Sequence, residues 1–287
     1  MIDSNTILKK IDCIDDLPTL PSIVMEANKM LQDYNTPMEK LCQIIEKDQS
    51  MVPKLLKLVN SAFFGFQSKI SNVSRAIALL GFNTVRGAIV SIGVIEAFTQ
   101  KDSMENFDIK DFWTHSIAVA VTSKHLVGNI NNQVAEEAFI GGLLHDIGKV
   151  VLSQYFQDLF CKVWTSVKKN NLTFYDAEKM EIPITHALIG AHLAEKWQLP
   201  TSLVDAIRCH HAVGKNVEDV GLPMIVYLAD VIVNGLGVNS KNEINLFEVH
   251  PDAARAMKNQ VETAPDWFPE VSEDIQLACD SFLGEVE

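Results

Sequence analysis

Apolar residues recur three and four positions apart along most of this chain, the period of a helix with one buried face. Leu17-Pro18 and Leu20-Pro21 open the first such stretch, since proline suits the first turn of a helix. Ile23, Val24, Ala27, Met30 and Leu31 continue it until Asn35-Thr36-Pro37 breaks it. Met38, Leu41, Cys42 and Ile45 mark a second helix. Asp48-Gln49-Ser50 caps a third, carrying Val52, Leu55, Leu56, Val59, Ala62 and Phe63. Ser71-Asn72 begins a fourth, with Val73, Ile77 and Leu80 inward, and Gly81 ends it. A fifth starts at Asn83 or Thr84 and runs to about Phe98.

The same period continues after a polar stretch, Lys101 to Asn106. Ile109, Phe112, Trp113, Ile117, Ala118 and Val121 share a helix with Asp111 and His115. Helical patterning then covers Ala135 to about Phe156, with an interruption near Gly148, and Leu159 to Val167. Asn170-Asn171 reads as a turn. Ala177 to Trp197 is helical except at Pro183, with Thr185 capping the restart. Gln198-Leu199-Pro200 stops that element. Leu203 to His211 and Leu222 to Val233 follow, and Gly235-Leu236-Gly237 ends the last. Alternation of period two is almost absent, so the expected class is all-α with sheet content near nil. The polar stretch predicts a junction between a helical subdomain, 1–105, and a second helical bundle, 106–240. A tail, 241–287, carries Pro251, Pro265 and Pro269 among short helical pieces.

Composition narrows the class. The chain has 287 residues, 47% of them hydrophobic, enough for a sizeable core. Nothing resembles a signal peptide or a bilayer-spanning run, so a soluble cytoplasmic chain without membrane contact is expected. The five cysteines, Cys13, Cys42, Cys161, Cys209 and Cys279, form no CxxC pair, which argues against a disulfide framework or a zinc knuckle. The formal net charge is −13. Such a surface repels a phosphate backbone unless a basic patch exists, and only small lysine groups at 54 and 57 and at 168 and 169 are seen. Nucleic acid is therefore disfavoured as a partner. The short glycine turn between the fourth and fifth helices has the form of a helix-turn-helix. Its second helix offers Arg86 and otherwise mostly Gly, Ala, Ile, Val and Ser, a poor set for reading base edges.

The chemistry lies in the second half. His145 and Asp146 follow the apolar run Gly141-Gly142-Leu143-Leu144, and Lys149 comes one turn later. Neighbouring helical side chains diverge by about 100°, so both cannot face a dry core without a partner suited to nitrogen and oxygen together. A divalent metal is such a partner. The plainer alternative is a helix end at Gly148 whose dipole His145 and Lys149 complement. His115 lies one turn after Asp111 on the same face. His186 sits in the first turn after Thr185, His210-His211 ends a helix, and Asp230 interrupts an apolar run where an unpaired carboxylate is costly. Each alone has a structural explanation as a satisfied core or cap residue. Together they spend polar groups on the apolar faces of several helices, a known way to build a two-metal site. His125, His192 and His250 read as surface or structural.

These residues resemble the HD superfamily of metal-dependent phosphohydrolases, with His115, His145-Asp146 and Asp230 at its motif positions. More closely, residues 10 to 235 resemble the HDOD family, the HD-related output domains of bacterial signalling. The blocks that carry this are Leu17-Pro18-Thr19-Leu20-Pro21, Asp48, Leu55 to Ala62, Ser74-Arg75-Ala76-Ile77, Leu80-Gly81 and Ala138 to Gly148. Glu178, Thr185-His186-Ala187, Gly190-Ala191, Trp197-Gln198-Leu199-Pro200, Ala206-Ile207 and His210-His211 follow in order.

The resemblance implies two helical subdomains, the second an HD-like bundle, holding one or two divalent ions (Fe, Mn, Ni or Zn). Asp146 would bridge the ions. His115, His145 and Asp230 would complete one, and His186, His210, His211 and Asp111 the other. Lys149 would steady a phosphoryl oxygen, or compensate a helix end. In the related HD-GYP phosphodiesterases the additional histidines help hold a second metal. The Gly-Tyr-Pro signature is missing here, for Ala212-Val213-Gly214-Lys215 follows His211. Ile182-Pro183 stands where the family often has glycine. A regulatory role through contacts with signalling proteins or a small phosphate-containing ligand is expected, and hydrolysis of a nucleotide or phosphodiester is the alternative.

Overall fold

The computed structural model describes residues 3–14, 17, 22, 24–26, 38–99, 107–128, 132–212, 221–236 and 251–284. Of the helix expected over 23–31 only 24–26 are described, and they are helical with Val24 buried. Its break at 35–37, the junction at 101–106, Gly237, and His250 with the start of the tail lie outside the described residues. Among the described residues the fold is all-α, with no strand. In the N-terminal half α1 is Ser4–Asp12, α2 Met38–Lys47, α3 Met51–Val59, α4 Val73–Leu80 and α5 Phe82–Thr99. A single 3-10 turn, Ala62–Phe64, follows α3. The second half comprises α6 Ile109–Val127, α7 Asn132–Leu144, α8 Ile147–Tyr155, α9 Gln157–Asn170, α10 Phe174–Glu181, α11 His186–Lys196, α12 Thr201–Cys209 and α13 Leu222–Leu236. The C-terminal helices are α14 Pro251–Ala256, α15 Lys258–Glu262 and α16 Ala264–Leu283.

Helix α1 was not expected. Its signal is short: Asp3 caps Thr6 N–H, and Ile7 and Ile11, one turn apart, are the buried pair. It also reaches into the other half of the chain. Ser4 Oγ donates to the carbonyl of Pro183, and Asp12 pairs with His192 at 2.8 Å and Lys196 at 3.3 Å. The core likewise runs unbroken across the expected junction, from Leu41, Leu55 and Ile89 to Leu144, Val151 and Ile207. Helix α5 joins the halves by packing on α3, α4 and α7. It is buried from Thr84 to Ile95, Arg86 included, so it presents no exposed face for base edges.

The C-terminal region is more continuous than its prolines suggest. Pro265 lies in the first turn of α16, where a missing N–H is harmless. Pro269 follows four residues later, so the lost intrahelical bond is the one to the Pro265 carbonyl near the helix start. Phe268, Val271, Ala278, Cys279 and Leu283 then bury one face. Helix α16 packs against α6 and the Ala62–Phe64 turn. His125 of α6 stacks on Trp267 with ring centroids 4.5 Å apart.

Helices α6, α7, α8, α11, α12 and α13 form the bundle that places the site. Helix α6 packs along α7 and α13, and α11 packs on α8 and α12. Two glycines permit the closest approaches. A Cβ on Gly142 would stand 2.7 Å from the Ala120 backbone of α6, and one on Gly148 would stand 2.0 Å from the carbonyl oxygen of His186. Gly148 therefore sits inside α8 as a contact point with α11. The helical interruption is at His145 and Asp146 instead.

Candidate metal centre

That interruption resolves the geometric problem posed by the His-Asp pair. In a continuous helix the two side chains would diverge. Here α7 ends at Leu144 and α8 begins at Ile147, so both side chains enter one site, with His145 Nε2 3.3 Å from Asp146 Oδ2. The other ring nitrogen, Nδ1, lies 2.6 Å from the carbonyl of Gly142. A carbonyl only accepts, so Nδ1 carries a hydrogen, and in the neutral ring Nε2 presents a lone pair. His145 thus caps the end of α7, as the plainer reading held, and points its other nitrogen into the site.

The same device recurs. His210, at the end of α12, places Nδ1 2.7 Å from the Ile207 carbonyl. His186, in the first turn of α11, places Nδ1 2.7 Å from Glu178 Oε2, while its backbone N–H donates to Glu178 Oε1 at 2.8 Å. Their Nε2 atoms converge: His186 is 3.3 Å from His210 and 3.1 Å from His211, and 3.0 Å from Asp146 Oδ1. His210 Nε2 is 3.6 Å from the same oxygen. On the opposite side His115 Nε2 stands 3.1 Å from Asp230 Oδ1 and 3.9 Å from Asp146 Oδ2. His145 Nε2 is 3.9 Å from Asp230 Oδ1, whose orientation is held by Asn234 Nδ2 at 2.8 Å.

Two donor groups result. One is Asp146, His186, His210 and His211. The other is His115, His145 and Asp146, with Asp230 beside it. Asp146 is common to both, one oxygen toward each. Of the expected ligands, only Asp111 stays outside. It is exposed in the first turn of α6 and belongs to neither group, a correction to the sequence-based set. Sharing a helix face with His115 does not suffice, because the site lies toward the interior from His115 and Asp111 sits a turn nearer the helix end.

Do these residues fit a cation? His145, His186 and His210 are fully buried and Asp146 nearly so. Yet His145 Nε2 and Asp146 Oδ1 have no hydrogen-bond partner, although His186 Nε2 is close to the latter. Buried polar atoms left this way are costly. Lone pairs of imidazole nitrogen and carboxylate oxygen facing one another fit an electron-poor partner, and this mixed set suits a divalent transition metal.

The carboxylates and imidazoles of the cluster also shift one another's pKa values. Burial opposes charge on His145 and His186, but Asp146 with Asp230, and Glu178 with Asp146, raise their respective pKa values above the ordinary imidazole range. Asp146 is held well below the carboxylate range, against its burial, by His145, Lys149 and His186. Asp230 is lowered too, against burial, by His115 and His145. His210 is pushed down to about 4 and His211 to about 2 by burial and by the neighbouring histidines. Those two rings are therefore neutral at pH 7. Lys149 Nζ lies 2.5 Å from Asp146 Oδ2 and 5.4 Å from the Phe174 ring centroid. Despite burial, Asp146 and Asp230 raise its pKa.

Two supporting residues were not singled out for these roles in the sequence. Glu178, fully buried, holds His186 at two points. Its signal was available, because Phe174, Ala177 and Glu178 share one helical face and an acid there breaks an apolar stripe. Tyr175 stacks on His211 with centroids 4.3 Å apart. Nothing in its spacing marks it.

The family model for the HDOD domain matches residues 17–213. An uncharacterized protein of Treponema pallidum (strain Nichols) is 28% identical over 201 residues, 70% of this chain and 38% of that protein. The chain thus spans well under half of that relative. A crystal structure of an HDOD domain protein with unknown function from Geobacter sulfurreducens matches with TM-score 0.81 at 23% identity, covering 98% of this chain and 100% of that one. A candidate phosphohydrolase from Shewanella amazonensis SB2B matches with TM-score 0.75 at 20% identity, covering 95% and 97%. At these identities the likeness to the solved structures is one of fold.

Proposed function

Because the chain belongs to the HDOD domain family, we propose that it is a signalling or regulatory protein that retains an HD-type centre for two divalent cations. One observation carries this reading. Imidazole Nε2 atoms from α6, the α7–α8 break, α11 and the end of α12 meet around the two oxygens of Asp146, with His145 Nε2 and Asp146 Oδ1 left without a hydrogen-bond partner. His115, His145, Asp146 and Asp230 would hold one cation, and Asp146, His186, His210 and His211 the other. Signalling proteins or a small phosphate-containing ligand are the proposed partners.

A second reading, hydrolysis of a phosphate ester, is favoured by Lys149 and by where the cluster opens. The side chains of His115 and Lys149 are 27% and 22% exposed, while those of His145 and His186 are fully buried. A phosphoryl group entering by that side meets the Lys149 ammonium first. Cations at such a site supply Lewis-acid activation of a phosphoryl oxygen and of water. Lys149 would donate to a phosphoryl oxygen, and Asp146 would keep the two donor groups in register.

Metal analysis of the purified chain tests the first reading. Near-stoichiometric metal that is lost in both His145→Ala and Asp146→Ala is expected, and a folded wild-type chain that takes up no Mn, Fe, Ni or Zn would refute it. Turnover of a phosphodiester and nucleotide panel, abolished by the same substitutions, selects the enzymatic reading. Metal without turnover selects the regulatory one.

A further inference from the structure

His211 differs from its neighbours in how its ring is held. The Nδ1 atoms of His145, His210 and His186 each face a carbonyl or carboxylate oxygen that fixes the ring. Among the described residues no such oxygen takes the Nδ1 of His211. Its ring lies on Tyr175 instead, 4.3 Å between centroids with 26° between planes. Lys179 Nζ also lies over the Tyr175 ring, 4.6 Å from its centroid, and is paired with Asp176 at 3.0 Å. Asp176 in turn bonds Thr173, the residue that caps α10. The column Asp176, Lys179, Tyr175 and His211 runs from the helix surface to the donor group.

We propose that Tyr175 is a positioning residue that sets the His211 ring for the cation shared with His186 and His210. It touches no cation itself. Stacking restricts the ring to one plane, and that plane brings His211 Nε2 to 3.1 Å from His186 Nε2. Helix α10 then governs two ligands of one cation: Glu178 orients His186 through hydrogen bonds, and Tyr175 orients His211 through its face. The other donor group, His115, His145 and Asp230, takes no orienting contact from Tyr175. Loss of the aromatic face therefore acts on one of two binding steps. Groups that orient metal ligands typically cost 10- to 100-fold in affinity when removed.

The inference rests on the two-cation reading above, and the test separates the two. Mn²⁺ is titrated into the full chain, free Mn²⁺ is followed by electron paramagnetic resonance, and folding is checked by circular dichroism. Tyr175→Met and Tyr175→Leu are both made, so that a folded variant without the aromatic face is in hand. The wild type and Tyr175→Phe are expected to take two ions with matching affinities. The Met or Leu variant keeps one step unchanged and weakens the other by about tenfold or more. Combined with His211→Ala, it binds little more weakly than His211→Ala alone, since Tyr175 stacks on that ring and meets His186 only edge-on, 6.2 Å between centroids. A wild type that binds two ions beside a Met or Leu variant with unchanged affinities overturns this inference and leaves the metal centre standing. So does equal weakening of both steps, the mark of a general packing role. A wild type that takes up neither Mn²⁺ nor, in parallel titrations, Fe²⁺, Ni²⁺ or Zn²⁺ overturns both.

Discussion

Glu178 accepts two hydrogen bonds from one residue, His186: the backbone N–H at 2.8 Å and the ring Nδ1–H at 2.7 Å. Both residues are fully buried. A carboxylate can accept both, whereas a carboxamide offers one accepting oxygen and turns donors toward the other contact. Glu178→Gln is expected to cost ~1–3 kcal/mol of stability for the donor left unpaired. It should also weaken one metal-binding step about 10- to 100-fold. Thermal unfolding of metal-free protein and metal titration measure the two effects separately.

Asp146 serves both donor groups, with Oδ1 toward His186 at 3.0 Å and Oδ2 toward His145 at 3.3 Å. Asp146→Asn removes the charge and one oxygen donor. Metal content measured by mass spectrometry should fall from two equivalents to one or none. A variant still holding two would show that the groups bind independently of this side chain.

Gly148 tests the helix contact beneath the site. The Cβ of Gly148→Ala would meet the His186 carbonyl, which is backbone and cannot swing aside. Helices α8 and α11 must part, at a cost of ~1–3 kcal/mol or more for overpacking. Gly141→Ala is the control, because its Cβ meets only side chains, with Val226 Cγ2 at 3.3 Å nearest. The expected order is a large fall in melting temperature with reduced metal uptake for Gly148→Ala, and a small shift in stability alone for Gly141→Ala.

His125 makes the packing of α16 on α6 sensitive to acid. Burial lowers its pKa below 6.5, although Glu270 and Asp274 pull the other way. The unfolded chain then takes up a proton before the folded chain does. Stability from this residue is full above pH 6.5 and falls as pH drops through that value, levelling below the folded pKa. Unfolding of wild type and His125→Gln from pH 8 to pH 5 should show the wild type losing more stability on acidification. Equal slopes would remove His125 from the account.

Much of this was legible beforehand because helical period is a local property. The caps Asn72 and Thr185 each accept from a backbone N–H near the helix start. Thr185 lies where the pattern placed it. His145, Asp146 and Asp230 stood out because each sits in an apolar run where only a partner justifies a polar group. The ligand role of Asp111 came from the resemblance. Its helical face matches that of His115, but it lies exposed a turn nearer the helix end, and periodicity does not say how far along the helix the site extends. The break at His145-Asp146 was placed near Gly148, since glycine is a local signal for a helix end. Its actual role depends on how closely α11 approaches.

The order of residues alone thus determined the helical class, most element boundaries and which histidines and aspartates stood out in apolar runs, since these follow from spacing and burial preference. Tertiary structure decided which of them meet, that Asp146 turns one oxygen to each group, that Glu178 hydrogen-bonds His186 and that Tyr175 stacks on His211. Those relationships join residues from different helices. Their distances are set by how closely the helices pack, and no period along a single chain encodes that.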